Sequence, residues 1–151
     1  MGVEIERKFL VRAELLPALP EPLQLTQGYL ATDPVVRVRL AVAPDGTRSG
    51  ELTIKGRGLV SRSEFNYPIP PSEVGELLGL CGSALRKRRH RLGRWEIDVF
   101  PDHPGPDGKP LWLAEIELSS EDEPFDRPAW LGPEVTHDPA YSNAALARPG
   151  G

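Results

Sequence analysis

The chain has 151 residues, 26% of them charged, and a formal net charge of -4. That length suits a single domain over residues 1–151 with a real core, and the acidic balance argues against nucleic acid as the main partner while leaving room for a local basic site. The one cysteine, Cys81, excludes an intrachain disulfide and a cysteine-based zinc site; with no apolar leader and no run near the ~20 apolar residues that span a membrane, the expectation is a soluble, cytoplasmic protein.

In chain order, residues 1–12 read as a strand whose side chains alternate between two faces. Val3, Ile5 and Phe9 share one face, with Arg7 as the exception; Glu4, Glu6 and Lys8 share the other. Two carboxylates on one side of a strand repel. A divalent cation offsets this, because hard cations such as Mg2+ take carboxylate oxygens and substrate phosphates together. A lysine beside the pair suits a phosphate as a point charge. A solvated edge strand would carry the same residues, so the other elements decide.

Residues 13–22 are punctuated by Pro17, Pro20 and Pro22 and predict a short helical turn and a loop. Residues 25–31 form a second strand, with Leu25, Gln27 and Tyr29 on one face, and Asp33-Pro34 turns the chain. In residues 35–42, Val36, Val38 and Leu40 oppose Arg37 and Arg39. Pro44-Asp45-Gly46 predicts a hairpin turn. Residues 51–57 set Leu52 and Ile54 against Glu51, Thr53, Lys55 and Arg57, with Glu51 read as an outward rim charge. Residues 60–69 set Phe65, Tyr67 and Ile69 against Arg62, Glu64 and Asn66. Val74, Leu77, Leu78 and Cys81 recur at helical spacing, predicting a helix over 72–80 capped by Ser72, with Cys81 packed as a small hydrophobe.

Residues 83–92 carry a basic run, Arg86 to Arg91, ahead of a strand over 95–100 in which Trp95, Ile97 and Val99 oppose Glu96 and Asp98. Gly93 makes the turn, and 102–109 is a loop. Residues 111–119 set Ala114, Ile116 and Leu118 against Leu113, Glu115 and Glu117. A short acidic helix through Phe125, an irregular 127–136 and a terminal helix over 139–147 complete the chain.

The fold class is therefore mainly β (α+β): eight strands, mostly in hairpin relation, closing into an antiparallel barrel with a few covering helices. One strand face is apolar and the other is dominated by charge. Carboxylates come from the ends of the chain and cations from the middle. A charged interior of this kind suits a polyanion with its own divalent cations, and a triphosphate fits. Phosphoryl transfer depends mainly on positioning and charge stabilisation, and a metal ion can lower the pKa of a bound water and aim it at phosphorus.

Glu4-Ile5-Glu6-Arg7-Lys8 resembles the N-terminal E-x-E-x-K signature of the CYTH superfamily, the triphosphate tunnel metalloenzymes. The resemblance continues in order through Gln27-Gly28-Tyr29-Leu30, Arg37-Val38-Arg39, Leu52-Thr53-Ile54-Lys55, Ser61-Arg62-Ser63-Glu64, the Lys/Arg run, Glu96-Ile97-Asp98-Val99-Phe100, Ala114-Glu115-Ile116-Glu117-Leu118 and Tyr141-Ser142-Asn143. The chain looks most like small bacterial members that hydrolyse inorganic tripolyphosphate. The resemblance implies Glu4, Glu6, Glu115 and Glu117 at the metals, with Asp98 close by. It implies Lys8, Arg37, Arg39, Lys55, Lys87 and Arg89 on the phosphates, and Glu64 in support of a lysine or the second metal. Glu4, Glu6, Lys8 and Lys55 are then the catalytic candidates, with Mg2+ or Mn2+ as cofactor, two ions with substrate bound.

Two features depart from the pattern. Asn66 stands where relatives often carry a second acid, and the basic run admits a second inward register, Arg89/Arg91, beside the preferred Lys87/Arg89. Arg57 reads equally as a phosphate contact on a Gly-flanked turn or as a solvated charge, and Tyr29 as a substrate contact or a packing residue. His90, His103 and His137 read as surface residues, and Trp95, Trp112 and Trp130 as core. The function expected is metal-dependent tripolyphosphate hydrolysis, with no nucleic-acid or membrane partner, in a monomer or homodimer. The alternatives are thiamine triphosphatase, nucleoside triphosphatase or adenylate cyclase activity, a non-catalytic polyphosphate- or nucleotide-binding module, and a nucleic-acid binder using the basic run.

Overall fold

The computed structural model describes residues 3–58 and 60–147; Met1 and Gly2 of the first expected strand lie outside the described residues. The strands are β1 (Val3–Val11), β2 (Leu23–Thr32), β3 (Val35–Val42), β4 (Arg48–Lys55), β5 (Ser61–Ile69), β6 (Ser83–Leu92), β7 (Trp95–Pro104), β8 (Pro110–Glu117) and β9 (Leu131–Glu134). The helices are α1 (Pro71–Gly79) and α2 (Asn143–Ala147), with 3-10 turns at Ala13–Leu15 and Pro139–Tyr141. Among the described residues no helix is long and apolar enough to cross a membrane.

The first eight strands run β5-β4-β3-β2-β6-β7-β8-β1, all antiparallel, and β1 pairs with β5 to close the barrel. Hairpins dominate because the turns have the residues they need. Gly46 and Gly93 take φ of +87° and +58°, where a side chain would be strained. The closing seam is short: Val3, Ile5 and Glu4 pair with Ser63, Ser61 and Arg62 before β1 turns to β8. Eight strands leave an interior just wide enough for side chains or one small ligand.

Alternation sends one set of side chains out and the other in. Outside, Phe9, Trp95, Ile97, Ala114, Ile116 and Leu118 pack with Trp130 and Leu131, and Leu16, Leu19 and Phe125 lie against them. Phe9 meets Trp95 and Phe125 edge-on at centroid distances of 5.8 and 5.9 Å. Burying each such ring contributes about 1.5–3 kcal/mol. The exceptional Arg7 on this face has a partner: it forks onto Glu134 of β9, with nitrogen–oxygen distances of 2.8 and 2.6 Å. On another side of the wall, α1 lies across β2, β3 and β4, with Val74 fully buried.

The inward face is divided. Tyr29, Leu85, Phe100, Leu111 and Leu113 gather with Leu146 and Ala147 of α2 in a second apolar cluster. Leu85, Phe100 and Leu113 share strand faces with Lys87, Asp98 and Glu115, so this cluster is the greasy floor of a cavity whose upper wall is charged. Alternation alone suggested a charged lining throughout.

Several element expectations change. Residues 127–136 include a ninth strand, which β1 recruits through Phe9 and Val11. β4 begins at Arg48 and stops before Arg57, and β7 continues into the expected loop as far as Pro104. α1 starts with Pro71 in its first turn and Pro70 before it, so Ser72 is inside the helix rather than capping it. The acidic helix is absent; Ser119 instead donates from its backbone N–H and hydroxyl to Glu123 at 2.6 and 2.5 Å.

Gly50 tests the wall packing. A Cβ there would lie 2.6 Å from the Ile69 carbonyl oxygen and 2.8 Å from Val74 Cγ2, and backbone cannot yield as a side-chain tip can. Gly50→Ala is expected to destabilise the fold by about 1–3 kcal/mol, read as a lower denaturant midpoint; an unchanged midpoint would contradict this packing of β5 and α1 on β4.

Candidate active site

The charged part of the interior encloses about 650 Å³. Glu4, Glu6 and Lys8 enter it from β1, Arg37 and Arg39 from β3, and Glu51 and Lys55 from β4. Arg62, Glu64 and Asn66 come from β5, Lys87, Arg89 and Arg91 from β6, Glu96 from β7, and Glu115 and Glu117 from β8. Tyr29, Arg94, Trp95 and the C-terminal Ser142, Asn143 and Ala144 also line it. The acidic wall follows from register: Glu6 sits opposite Glu117, and Lys8 opposite Glu115, across the β1–β8 ladder. Side chains opposite one another in a ladder are direct neighbours.

Most of the cations are already partnered. Arg37 reaches Glu51 at 3.0 Å and Thr53 at 2.8 Å. Lys55 lies 3.1 Å from Glu4 and 3.6 Å from Glu64, and Arg62 is 3.3 Å from Glu4. Asp98, 1% exposed, takes Lys87 at 2.7 Å and Arg89 at 2.8 Å. Asn66 donates to Glu64 at 2.7 Å and accepts from Thr53 at 2.6 Å, so the neutral residue ties β4 to β5 and holds Glu64.

Lys8 and Arg39 differ. Among the described residues they are the cavity cations with no carboxylate in an ion pair. Lys8 Nζ donates to the Tyr141 carbonyl at 3.0 Å, and Arg39 Nε donates to Gln27 Oε1 at 2.9 Å. Arg37 Nε is buried without any partner. Burial, then Arg37 and Arg89, lowers the Arg39 guanidinium to about 9, still charged at neutral pH. Burial likewise pulls Lys87 down to about 7, Arg89 and Arg39 adding to it against Asp98. This side of the cavity holds more positive charge than its one buried aspartate balances, and an anion would relieve it.

The acidic side has the reverse imbalance. Glu6 is held well above the usual carboxyl range, first by burial and then by Glu115 and Glu4. Glu4 is raised by burial and by its contact with Glu64. Burial alone would raise Glu115, yet Lys8, its hydrogen bond with Glu6, and Lys87 and Arg89 hold it well below that range. Two carboxylates about 4 Å apart repel by roughly 4 kcal/mol at an effective dielectric near 20, so one keeps its proton unless a cation arrives. Glu64 Oε2 is also buried with no hydrogen-bond partner. Among the described residues no three metal-binding side chains converge on one point. In donor chemistry, however, closely packed carboxylates, with Glu6 held above its usual range by burial and its acidic neighbours, suit a hard divalent ion.

Some candidates are placed elsewhere than expected. Asp98 is absent from the cavity wall and acts as the buried counter-ion of Lys87 and Arg89, so it is corrected from a metal position. Arg57 lies outside the cavity, 87% exposed and paired with Asp33, because β4 ends before it. Glu51 faces inward and pairs with Arg37, although its side chain is still 40% exposed. In the basic run Lys87 and Arg89 are buried, exposed Arg91 reaches the cavity from the same face, and Arg86 and Arg88 are exposed. His90 and His103 are half-buried and face the carbonyls of Pro20 and Leu146, unlike the surface residues expected. Arg62, Glu51 and Glu96 were missed as cavity residues although their alternation with Glu64, Lys55 and Asp98 carries the signal. Gln27 shares a face with Leu25 and Tyr29, and both Gln27 and Asn143 fall in motifs of the resemblance, but no pattern links them to Arg39 or Lys87.

Three comparisons bear on this cavity. A CYTH domain model matches residues 2–144. A protein of Acetivibrio thermocellus named inorganic triphosphatase is 37% identical over 155 residues, covering 98% of this chain and 95% of its own. One of Nitrosomonas europaea with the same name is 37% identical over 156 residues, covering 95% and 96%. The crystal structure of the inorganic triphosphatase NE1496 superposes with a TM-score of 0.63 at 35% identity, covering 99% of this chain and 97% of that one.

The raised Glu6 carboxyl has a consequence for stability. The folded state binds that proton more tightly than the unfolded chain does. The cost of burying the ionised group is fully present above the raised pKa and is relieved as pH falls through it. Metal-free Glu6→Gln should therefore melt higher than the parent at pH 8, with the gain shrinking as pH is lowered toward 5. A variant that melts lower at pH 8 would show that Glu6 is not under electrostatic strain.

Proposed function

This chain belongs to the CYTH domain family, and on that premise we propose that it hydrolyses inorganic tripolyphosphate to pyrophosphate and orthophosphate with a divalent metal, Mg2+ or Mn2+. The observation that carries the reading is that Arg39, a cation without a carboxylate, lines the same cavity as the crowded acids Glu6 and Glu115, with Lys8 beside those acids.

Arg37, Arg39, Lys87 and Arg89 hold the phosphate chain, the arginines as forks and the lysine as a point charge. Lys8 and Lys55 lie next to the acids, where they neutralise charge that builds on the bridging oxygen as it leaves. Glu4, Glu6, Glu115 and Glu117 would hold the metal, with Glu64 and Tyr29 in support. When bound, the ion would screen phosphate charge and lower the pKa of a water. In the hydrolysis a water oxygen bonds to the terminal phosphorus and the bridging P–O bond breaks. Its electron pair leaves with pyrophosphate, and the water's proton passes to one of these carboxylates. Among the described residues the cavity lining is mostly charged, with Tyr29 and Trp95 as its aromatic side chains, which favours inorganic triphosphate over nucleoside or thiamine triphosphate. Of the outward arginines of the basic run, Arg86 is paired with Asp102 at 2.9 Å, which counts against a nucleic-acid surface.

Phosphate release from tripolyphosphate, ATP and thiamine triphosphate with Mg2+ and with Mn2+ tests this. Tripolyphosphate should be the fastest substrate, and no phosphate should appear without metal. Glu6→Gln should lower kcat by about 10²–10³-fold, and Arg39→Ala should raise KM by about 10–100-fold, as loss of a charge-assisted hydrogen bond does. Tight binding without phosphate release would instead mark a binding module, and unchanged rates in both variants would reject the site.

A further inference from the structure

We propose that Gln27 is the positioning residue that aims Arg39 at the phosphate chain while leaving its charge undischarged; this rests on the activity proposed above. Gln27 is fully buried and is not part of the cavity wall, so it does not touch substrate. It is the direct cross-strand neighbour of Arg39 on the β2–β3 ladder. All of its amide is used on groups that do line the cavity. Oε1 accepts from Arg39 Nε at 2.9 Å, and Nε2 donates to Tyr29 Oη at 3.0 Å and to Asn143 Oδ1 at 3.2 Å. Asn143 Oδ1 also accepts from Lys87 Nζ at 2.7 Å. Arg39 Nε is a donor only, so it fixes which end of the amide faces it.

The choice of a neutral residue is the informative part. Arg37, Lys55, Lys87 and Arg89 each face a carboxylate, which a bound anion has to compete with. Arg39 is oriented by a dipole instead. The amide satisfies Nε and leaves both terminal nitrogens of the guanidinium, and its full charge, to the ligand. A glutamate of the same shape would also orient Arg39, but as an ion pair. A satisfied core amide with no role in binding would show the same hydrogen bonds, and the two readings separate on kinetics.

Gln27→Glu and Gln27→Met are compared with the parent, alone and combined with Arg39→Ala. Steady-state kinetics on tripolyphosphate are run beside calorimetric binding of tripolyphosphate without metal. Gln27→Glu should raise KM and the metal-free Kd at least tenfold while kcat changes less than threefold. In the Arg39→Ala background the same change should shift KM less than twofold, because the residue through which it acts is gone. If Gln27→Glu fails to fold, the cycle is read on Gln27→Met, where non-additivity with Arg39→Ala of at least fivefold supports the role. Effects that multiply independently in both backgrounds, or a Gln27→Glu enzyme with parental KM, overturn it. A parent protein that does not bind tripolyphosphate overturns the proposed activity and this role with it; a parent that binds, with an additive cycle, overturns this role alone.

Discussion

Moving an ionised side chain from water into a protein interior costs several kcal/mol even after relaxation. This barrel does so repeatedly on the inner faces of its strands. The structure depends on how that cost is distributed. Cations and carboxylates from distant segments meet across the bore, so that Lys55 lies between Glu4 and Glu64, and Asp98 between Lys87 and Arg89. Antiparallel ladders bring them together because each strand turns alternate residues inward. In the deepest part Lys87 and Arg89 share one aspartate, and toward the cavity pairing is incomplete. Arg39 and the orphaned Arg37 Nε are left on one side, and Lys8 with the mutually repelling carboxylates of Glu6 and Glu115 on the other.

A fold with such a liability inside needs its stability elsewhere. The outer aromatic cluster around Phe9 and Trp95 lies between the wall and the covering segments, and the inner apolar floor around Phe100 and Leu113 is sealed by Leu146 of α2. The floor also sets the dielectric contrast. Lys87 Nζ stands 5.5 Å over the Phe100 ring, at the boundary between the greasy and charged parts, where its ammonium is driven down to about 7. Charges placed against a low-dielectric base act more strongly on a ligand than the same charges in water. The destabilisation held in the acids and bases is the property that makes the cavity receptive to metal and anion together.

Much of this could be read from residue order, since the period of two assigns each side chain to a face. Glu4 with Glu6, Arg37 with Arg39, and Glu115 with Glu117 all enter the cavity on that rule. What periodicity does not carry is depth along the barrel axis. Asp98 and Glu96 have the same inward parity, yet Asp98 sits low enough for two cations to enclose it. Leu113 and Glu115 likewise share a face, and one is floor while the other is wall. Strand ends are equally hidden: Arg57 follows Lys55 in the pattern but lies past the last ladder pair, where solvent and Asp33 take it. The ninth strand is four residues long and contains Gly132 and Pro133, a composition that signals a loop until β1 offers it an edge. Gln27 shows the same limit, because its role comes from neighbours on another strand and on α2.

The central claim is that metal and phosphate chain are held together between the two walls of one cavity. Crystals grown with Mn2+ and a non-hydrolysable imido analogue of tripolyphosphate, measured at the manganese absorption edge, test it most directly. The account predicts an anomalous peak bounded by Glu4, Glu6 and Glu115, with the analogue running from it to Arg39 and Lys8. Manganese on the exterior, or an analogue lying along exposed Arg86 and Arg88, would contradict it.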